Sequence, residues 1–115
     1  MGRLTTHILD TANGKPAANV DIRLYVLEEA RALRASAKSN DDGRTELPLL
    51  EGKSMLTGSY ELEFDIGKYF AAQGSALADP AFLDTVVVRF SVHTDHSYHV
   101  PLLVSPWSYT TYRGS

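Results

Sequence analysis

The sequence predicts an all-β sandwich formed by a single domain over residues 1–115, and three observations support this prediction. Apolar and polar residues alternate with a period of two in at least four segments, which is typical of strands with one buried face. Turn-forming pairs such as Asn13-Gly14 separate these segments. With 115 residues, 43% of them hydrophobic, the chain can support one core, burying about 65% of its unfolded surface. Many short strands joined by turns favour a sandwich.

Six strands are expected along the chain, and four of them show clear alternation. Their apolar faces lie within Val20–Val26, Tyr60–Ile66, Val86–Val92 and Tyr98–Val104. Weaker strands are expected at about residues 4–9 and 108–113. Pro101 lacks an N–H group, so its strand should be an edge strand or contain a bulge, at least near this residue.

One short helix is expected directly after the strand that ends near Ile66. Ile66, Tyr69 and Phe70 have the i, i+3, i+4 spacing of a helical face, and Gly74 marks the end of the helix. Asp65 is in position to cap its N-terminus. We therefore expect about two turns of helix.

The segment from Leu27 to Lys38 allows two interpretations. It is rich in alanine, leucine, glutamate and arginine, and these residues favour a helix. The alternation of Leu33, Ala35 and Ala37 with polar neighbours instead fits a strand that follows a turn at Glu28-Glu29. Residue properties alone favour neither interpretation.

The composition excludes several classes of chemistry. The chain has no cysteine, which rules out disulfides, thiolate zinc sites and a cysteine nucleophile. Its net charge of −3, without a basic cluster, argues against nucleic acid or an anionic membrane as a partner. No apolar run is long enough for a membrane helix, and residues 1–10 lack the apolar stretch of a signal peptide, so a cytoplasmic protein is expected. Small molecules remain as partners.

Four histidines are the natural candidates for acid–base chemistry, because imidazole changes charge near neutral pH. His7 and His99 lie on the faces of their strands that point away from the expected core, whereas His93 and His96 flank a turn. An outward-facing histidine is more often simply solvated. The spacing of the four does not match a zinc motif, and no metal is expected.

Two further features allow both a structural and a functional interpretation. Arg44 follows Asp42-Gly43 and could simply pair with Asp42 across a turn. The segment Tyr109–Ser115 carries two tyrosines and an arginine directly after an apolar strand. Its tyrosines could cover the core as part of an edge strand, or they could belong to a site.

Four motifs together resemble the transthyretin-related 5-hydroxyisourate hydrolases. The resemblance covers the whole chain, and the terminal tetrapeptide is its most specific element because it separates these hydrolases from transthyretin hormone carriers. At one position the chain departs from the family's pattern, since the histidine strand usually reads His-Tyr-His and Ser97 stands at the first of these positions. The motifs are Leu4–Asp10 with Gly14-Lys15-Pro16, Gly43-Arg44, Tyr98–Leu103 and Tyr112-Arg113-Gly114-Ser115.

The resemblance implies a transthyretin-like sandwich of two four-stranded sheets with one short helix, assembled as a dimer of dimers. It implies a hairpin at residues 27–38. The implied activity is hydrolysis of 5-hydroxyisourate, the product of urate oxidation, to 2-oxo-4-hydroxy-4-carboxy-5-ureidoimidazoline, without a cofactor. The implied sites lie at subunit interfaces.

The resemblance also implies roles for individual residues. His7 and His99 are the expected acid and base, in an order that the sequence does not reveal. Arg44 would bind the substrate and stabilise developing negative charge. A positioning hydroxyl would come from Tyr112, and Arg113 and the Ser115 carboxylate would hold the tail across the site. The implied catalytic residues are His7, Arg44, His99 and Ser115, and the implied substrate-binding residues are His7, Arg44, Tyr112, Arg113 and Gly114.

Two alternatives remain at this stage. A non-catalytic transthyretin-like carrier of an aromatic ligand would use the same channel, but such channels favour apolar, uncharged walls. A structural sandwich module used for protein contacts would leave the tail unexplained. The residues that discriminate among the three are His7, Arg44, His99 and the tail.

Overall fold

A computed structural model describes residues 2–74 and 78–114, which form a two-layer β-sandwich. Within these ranges the strands are β1 (Arg3–Asp10), β2 (Lys15–Pro16), β3 (Asp21–Leu27), β4 (Arg31–Lys38), β5 (Leu50–Glu51), β6 (Gly58–Asp65), β7 (Thr85–Val92), β8 (Tyr98–Val104) and β9 (Tyr109–Thr111). The helix α1 spans Ile66–Ala72, and one 3₁₀ turn spans Gly52–Ser54. No helix of the described residues is long and apolar enough to cross a membrane.

The strands form two sheets, here called sheet A and sheet B. Sheet A has the order β2-β1-β8-β9, with β5 paired to the start of β1, and sheet B has the order β4-β3-β6-β7. The predicted all-β, transthyretin-like sandwich with one helix is confirmed. Sheet A has five strands rather than four because β2 and β5, each of two residues, both pair with β1.

One apolar core fills the space between the sheets, and the predicted alternation places the correct residues in it. On β6, for example, Tyr60, Leu62 and Phe64 are at most 2% exposed, while the residues between them face outward. The inward residues of the other long strands include Leu4 and Ile8 of β1, Ile22 and Leu24 of β3, Val86, Val88 and Val92 of β7, and Val100, Leu102 and Val104 of β8.

Residues 27–38 form a hairpin of β3 and β4, as the resemblance implied. The expectation that Leu33 shares a face with Ala35 and Ala37 was wrong. The register shifts between Leu24 and Tyr25, so that Leu24 pairs with Ala35 and Tyr25 pairs with Leu33. This β-bulge reverses the alternation on β4, and Leu33 is left 54% exposed.

Pro101 lies in an inner strand of sheet A, not at its edge, and the pairing of β8 with β9 is interrupted beside it. β9 pairs with residues 102–104 and stops at Thr111, whose hydroxyl donates to the Pro101 carbonyl at 2.7 Å. Pairing resumes only at the bridge between His99 and Gly114. Pro101 has no N–H group to offer in the gap, so Tyr112 and Arg113 leave the sheet there.

The helix α1 begins at Ile66 as predicted, but Asp65 does not cap it. Its carboxylate accepts two hydrogen bonds from the Arg23 guanidinium at 2.7 and 2.9 Å. Asp65 therefore forms a strong bidentate ion pair with Arg23 instead of capping the helix. The Arg23 hydrogen bonds hold the pKa of Asp65 below its ordinary value.

The face of sheet B that points away from the core carries a continuous set of ion pairs. Arginines from three strands alternate across this face with carboxylates of β6. The Arg31 guanidinium also stacks over the Tyr25 ring, 3.5 Å from its centroid. Such a face is satisfied in water without a covering layer. The pairs join Arg23 to Glu63 and Asp65, Arg31 to Glu61 and Glu63, and Arg89 to Glu61.

Asp10 anchors the end of β1 and is almost fully buried, at 1% exposure. Its carboxylate accepts hydrogen bonds from the backbone N–H groups of Ala12 and Asn13, from the Asn13 amide and from the Tyr69 hydroxyl. Burial alone would raise the pKa of Asp10, but these four hydrogen bonds together lower it. The carboxylate therefore ties the first turn to α1.

We predict that Asp10→Asn lowers the free energy of unfolding by about 2–3 kcal/mol, because an amide places an N–H group against donors that need an acceptor. The loss should be measured by urea denaturation at pH 7. It should shrink as the pH falls below about 4, where Asp10 of the unfolded chain takes up a proton, and level off below the lower pKa of the folded carboxylate. Asp21→Asn, at an exposed pair with Lys38, is the control and should change stability by less than about 0.5 kcal/mol. Equal losses in the two variants would contradict the anchoring role.

Candidate active site

The two histidines that the sequence singled out lie side by side on the face of sheet A that points away from the core. β1 and β8 run parallel, and their register pairs Thr5 with His99 and His7 with Pro101. The ring centroids of His7 and His99 are 6.5 Å apart. Because alternate residues of a strand share a face, Arg3 and Thr5 lie on the same side as His7.

His99 is held from both sides of its ring. Its Nδ1 is 2.9 Å from the Thr5 hydroxyl. On the other side, the backbone of Gly114 exchanges two hydrogen bonds with that of His99, at 3.2 and 2.6 Å. A Cβ on Gly114 would come within 3.0 Å of His99 Cβ and 3.1 Å of Cδ2, so any larger residue there would have to displace the His99 side chain slightly.

Ser97, the departure from the family's pattern, does not orient His99. Its hydroxyl accepts a hydrogen bond from the Arg3 backbone N–H at 3.2 Å. The hydroxyl at His99 Nδ1 belongs to Thr5 on the neighbouring strand. The ring is thus oriented by β1.

Arg44 reaches this face through a tight loop that packs on β1. Gly43 has φ +77°, and a Cβ there would lie 2.4 Å from the Ile8 carbonyl oxygen and 3.3 Å from His7 Cδ2. Asn40 closes the loop, since its side-chain oxygen accepts from the Arg44 backbone N–H and its backbone N–H donates to the Arg44 carbonyl. Because Gly43 allows the loop to pack closely on β1, the loop places Arg44 beside the histidines.

An open polar groove results, lined by Arg3, Thr5, Arg44, Ser97, Tyr98 and His99. Arg44 is exposed and, among the described residues, forms no ion pair, including the one with Asp42 that its spacing allowed. Burial lowers the pKa of His99, and the charges of Arg44 and His7 lower it further. His99 is therefore neutral at pH 7.

The described C-terminal residues contact two different parts of the domain. Gly114 lies against His99, whereas Tyr112 and Arg113 line a separate groove beside β7, where the Arg113 guanidinium stacks 4.6 Å from the Tyr98 ring centroid. Tyr112 is 58% exposed and Tyr109 is 43% exposed, so neither covers the core. The predicted roles of Tyr112 and Arg113 stay predictions, and Ser115 lies outside the described residues.

The other two histidines form a separate pair. The His93 and His96 rings lie 5.6 Å apart in the exposed turn before β8. In residues 2–74 and 78–114 no group of three or more histidine, aspartate or glutamate side chains is arranged to hold a metal ion.

Thr5 and Arg3 are the site residues that sequence analysis missed. The available signal was their spacing, since Arg3, Thr5 and His7 are alternate residues of one strand. That spacing gives a shared face but not a partner. The contact of Thr5 with His99 depends on the parallel pairing of two strands far apart in the chain.

Known proteins share this fold and much of this sequence. The HIUase/Transthyretin family model matches residues 4–114. The 5-hydroxyisourate hydrolase of Ralstonia nicotianae is 54% identical over 117 residues, covering 100% of both chains. The crystal structure of (S)-allantoin synthase superposes with a TM-score of 0.94 at 49% identity over 99% of this chain, which spans 44% of that protein's length. Sea bream transthyretin in complex with thyroxine superposes with a TM-score of 0.87 at 28% identity, over 97% of this chain and 94% of that one.

The fold is a transthyretin-like sandwich that carries two neighbouring histidines and a polar groove on the outer face of one sheet. The chain belongs to the HIUase/Transthyretin family. The resemblance read from the four sequence motifs is thereby confirmed, and so is the prediction of an enzyme of the hydrolase class.

We predict that Arg44→Gln raises the pKa of His99 toward its ordinary value of 6.5, because one of the positive charges that disfavour imidazolium is removed. The pKa should stay below that value, since burial and His7 remain. An NMR titration of the His99 ring measures the change. Arg34→Gln, on β4 of sheet B, is the control and should leave the titration unaltered; a His99 pKa that is the same in all three proteins would contradict the electrostatic coupling.

Proposed function

We propose that this chain hydrolyses 5-hydroxyisourate to 2-oxo-4-hydroxy-4-carboxy-5-ureidoimidazoline, a step in the degradation of urate. The observation that carries the proposal is the meeting of His7, His99 and Arg44 on one outer face of sheet A. The identity of the substrate is inferred from the name of a full-length relative, a 5-hydroxyisourate hydrolase. The reaction needs neither a cofactor nor a change of oxidation state.

The chemistry is the opening of a cyclic amide by water. As the water oxygen bonds to the carbonyl carbon, a histidine takes up the water proton and the carbonyl π electrons move to oxygen. When the C–N bond breaks, its electron pair stays on nitrogen, which receives the proton back from the histidine. The two candidates for this histidine are His7 and His99, whose ring centroids lie 6.5 Å apart.

Arg44 binds the substrate and stabilises the developing oxyanion in this proposal. Its guanidinium is planar and permanently charged, which matches an anionic ring rich in carbonyl groups. Its exposure leaves it available to a ligand in the groove. The overall charge of −3 opposes an anionic substrate, so the local positive potential of Arg3 and Arg44 provides the attraction.

We further propose that the active form is a homotetramer, a dimer of dimers, with the sites between subunits. The two outer faces of the sandwich differ in a way that supports this. Sheet B presents ion pairs, whereas sheet A presents the paired, half-buried Leu9 and Leu103 beside the histidines. β7 and β9 lie at the ends of their sheets with one edge free, and free edges favour pairing with another copy.

Tyr112, Arg113 and Gly114 are proposed to contribute to substrate binding, and the Ser115 carboxylate to catalysis. Gly114 already touches His99. Tyr112 and Arg113 line their own groove within one chain, so their contribution to a site would be made in the assembled protein. The cytoplasmic location also remains a proposal.

A carrier function is the second candidate, because the transthyretin that this chain resembles is seen with thyroxine. The groove argues against it, since its walls are formed largely by arginine, hydroxyl and imidazole side chains. Channels for aromatic ligands are mainly apolar.

We predict that His7→Asn and His99→Asn each lower kcat by about 10²–10⁴-fold, the contribution typical of a general acid or base. 5-Hydroxyisourate is generated from urate with urate oxidase, and the loss of its ultraviolet absorption is followed after adding the protein. His93→Asn, in the exposed turn, is the matched control and should keep wild-type turnover.

Two results would decide against this proposal. Wild-type protein that leaves the spontaneous decay unchanged would refute the hydrolase, and thyroxine binding would then be tested. A correctly assembled His7→Asn or His99→Asn variant with wild-type kcat would remove that residue from the mechanism.

We predict that Leu103→Glu converts the assembly into folded monomers and lowers turnover with it, because a charge is introduced into the apolar centre of the outer face of sheet A. Sedimentation velocity and the absorbance assay, at the same protein concentrations, measure the two effects. Leu33→Glu places the same charge on the outer face of sheet B and should change neither. Full activity in a Leu103→Glu monomer would refute the interface site.

A further inference from the structure

We propose that Thr5 is a positioning residue that holds the His99 ring with a protonated Nε2 facing the groove, which makes His99 a neutral hydrogen-bond donor and leaves His7 as the base. This inference rests on the proposed hydrolysis for its catalytic meaning. Its structural content, the orientation and tautomer of one ring, can be tested without any substrate.

The contact is built into the sheet. Parallel pairing places Thr5 directly opposite His99, and both side chains point to the outer face of sheet A. The Thr5 hydroxyl and His99 Nδ1 are 2.9 Å apart, a normal hydrogen-bond length, in a partly buried position. β-Branched Thr5 has few rotamers on a strand, so the hydroxyl is held in place by its own backbone.

The two ring atoms bonded to Cγ both face neighbouring residues. Nδ1 lies 2.9 Å from the Thr5 hydroxyl, and the Cδ2 side faces Gly114, where an added Cβ would lie 3.1 Å from Cδ2. The remaining edge of the ring, which carries Nε2, is the part left for a ligand. The groove beside it contains Arg44.

The direction of this hydrogen bond is the core of the proposal. A threonine hydroxyl can donate or accept, so the 2.9 Å contact fits either neutral tautomer of His99. In the arrangement we propose, the hydroxyl donates, Nδ1 accepts, and the neutral ring carries its proton on Nε2.

The surroundings favour the neutral ring. Burial is the first cause, and the charge of Arg44, which lines the same groove, acts in the same direction. Arg3 and His7 are the other basic side chains beside the ring. A neutral imidazole N–H can polarise a carbonyl group without giving up its proton, so His99 Nε2–H and Arg44 together form a binding site for the carbonyl oxygen of the attacked amide.

The division of labour between the histidines follows from this. With Nδ1 engaged and Nε2 protonated, the neutral His99 ring has no free lone pair with which to accept a proton from water. His7 then takes the water proton and returns it to the departing nitrogen. The proton count of the reaction is unchanged, and His99 finishes as it began.

The test compares Thr5→Val, which keeps the shape of the side chain and removes the hydroxyl, with Thr5→Ser, which keeps the hydroxyl. Nitrogen-15 NMR of the histidine rings, assigned with His99→Asn, reports the tautomer near pH 8. We expect the Nε2–H form of His99 in the wild type and in Thr5→Ser, and a mixture of tautomers in Thr5→Val. In the absorbance assay, Thr5→Val should lower kcat about 10–100-fold with little change in KM, as is typical when an orienting partner is lost, and Thr5→Ser should keep most of the activity.

Three results would overturn the proposal. An Nδ1–H tautomer in the wild type would reverse the hydrogen bond and refute the donor role of His99. A Thr5→Val protein with an unchanged tautomer and unchanged kcat would show that Thr5 does not position the ring. Equal losses of activity in Thr5→Val and Thr5→Ser would show that the hydroxyl is not what matters. A wild-type protein that holds the Nε2–H form but does not hydrolyse 5-hydroxyisourate would refute the hydrolase alone, because the orientation of the ring would stand.

Discussion

The parallel pairing of β1 with β8 is the constraint on which the site depends. It places His7 and His99 on neighbouring strands of one sheet, and it sets Thr5 opposite His99. A shift of the register by one residue would turn every outward side chain of β1 into the core. The buried residues Leu4 and Ile8 oppose such a shift, so packing inside the sandwich fixes the geometry of the groove outside it.

The inner faces of both sheets are apolar, but their outer faces differ in chemistry. On sheet B, arginines and carboxylates from four strands satisfy one another, and that face needs no covering layer. On sheet A, the outer surface combines leucine side chains with a polar groove. This difference is why we assign both the proposed chemistry and the proposed contact between subunits to sheet A. Two glycines approach the histidines closely: a Cβ on Gly43 would lie 2.4 Å from the Ile8 carbonyl oxygen, and a Cβ on Gly114 would lie 3.0 Å from His99 Cβ.

The local pattern of the sequence predicted six of the described strands, the helix and the outward histidines, because side-chain alternation and helical spacing are properties of neighbouring residues. It failed where pairing with another segment decides. The bulge beside Tyr25 exposes Leu33, and Asp65 pairs with the Arg23 guanidinium instead of capping the helix. Residue properties left residues 27–38 undecided, and in the structure residues 31–38 pair with β3 as the strand β4. The role of Thr5 could not be predicted for the same reason, because it depends on a contact between two strands that are distant in the sequence.

The contact between Thr5 and His99 joins residues 94 positions apart in the chain, which has a consequence for the order of folding. During synthesis β1 emerges first, but its long partner β8 follows only after all the strands of sheet B have been made. Sheet B is built from β3, β4, β6 and β7 with antiparallel neighbours, and these shorter connections close more rapidly than the connection between β1 and β8. We therefore expect sheet B to form the early framework of the domain. The groove that holds His99 would be completed last, when residues 98–114 join β1.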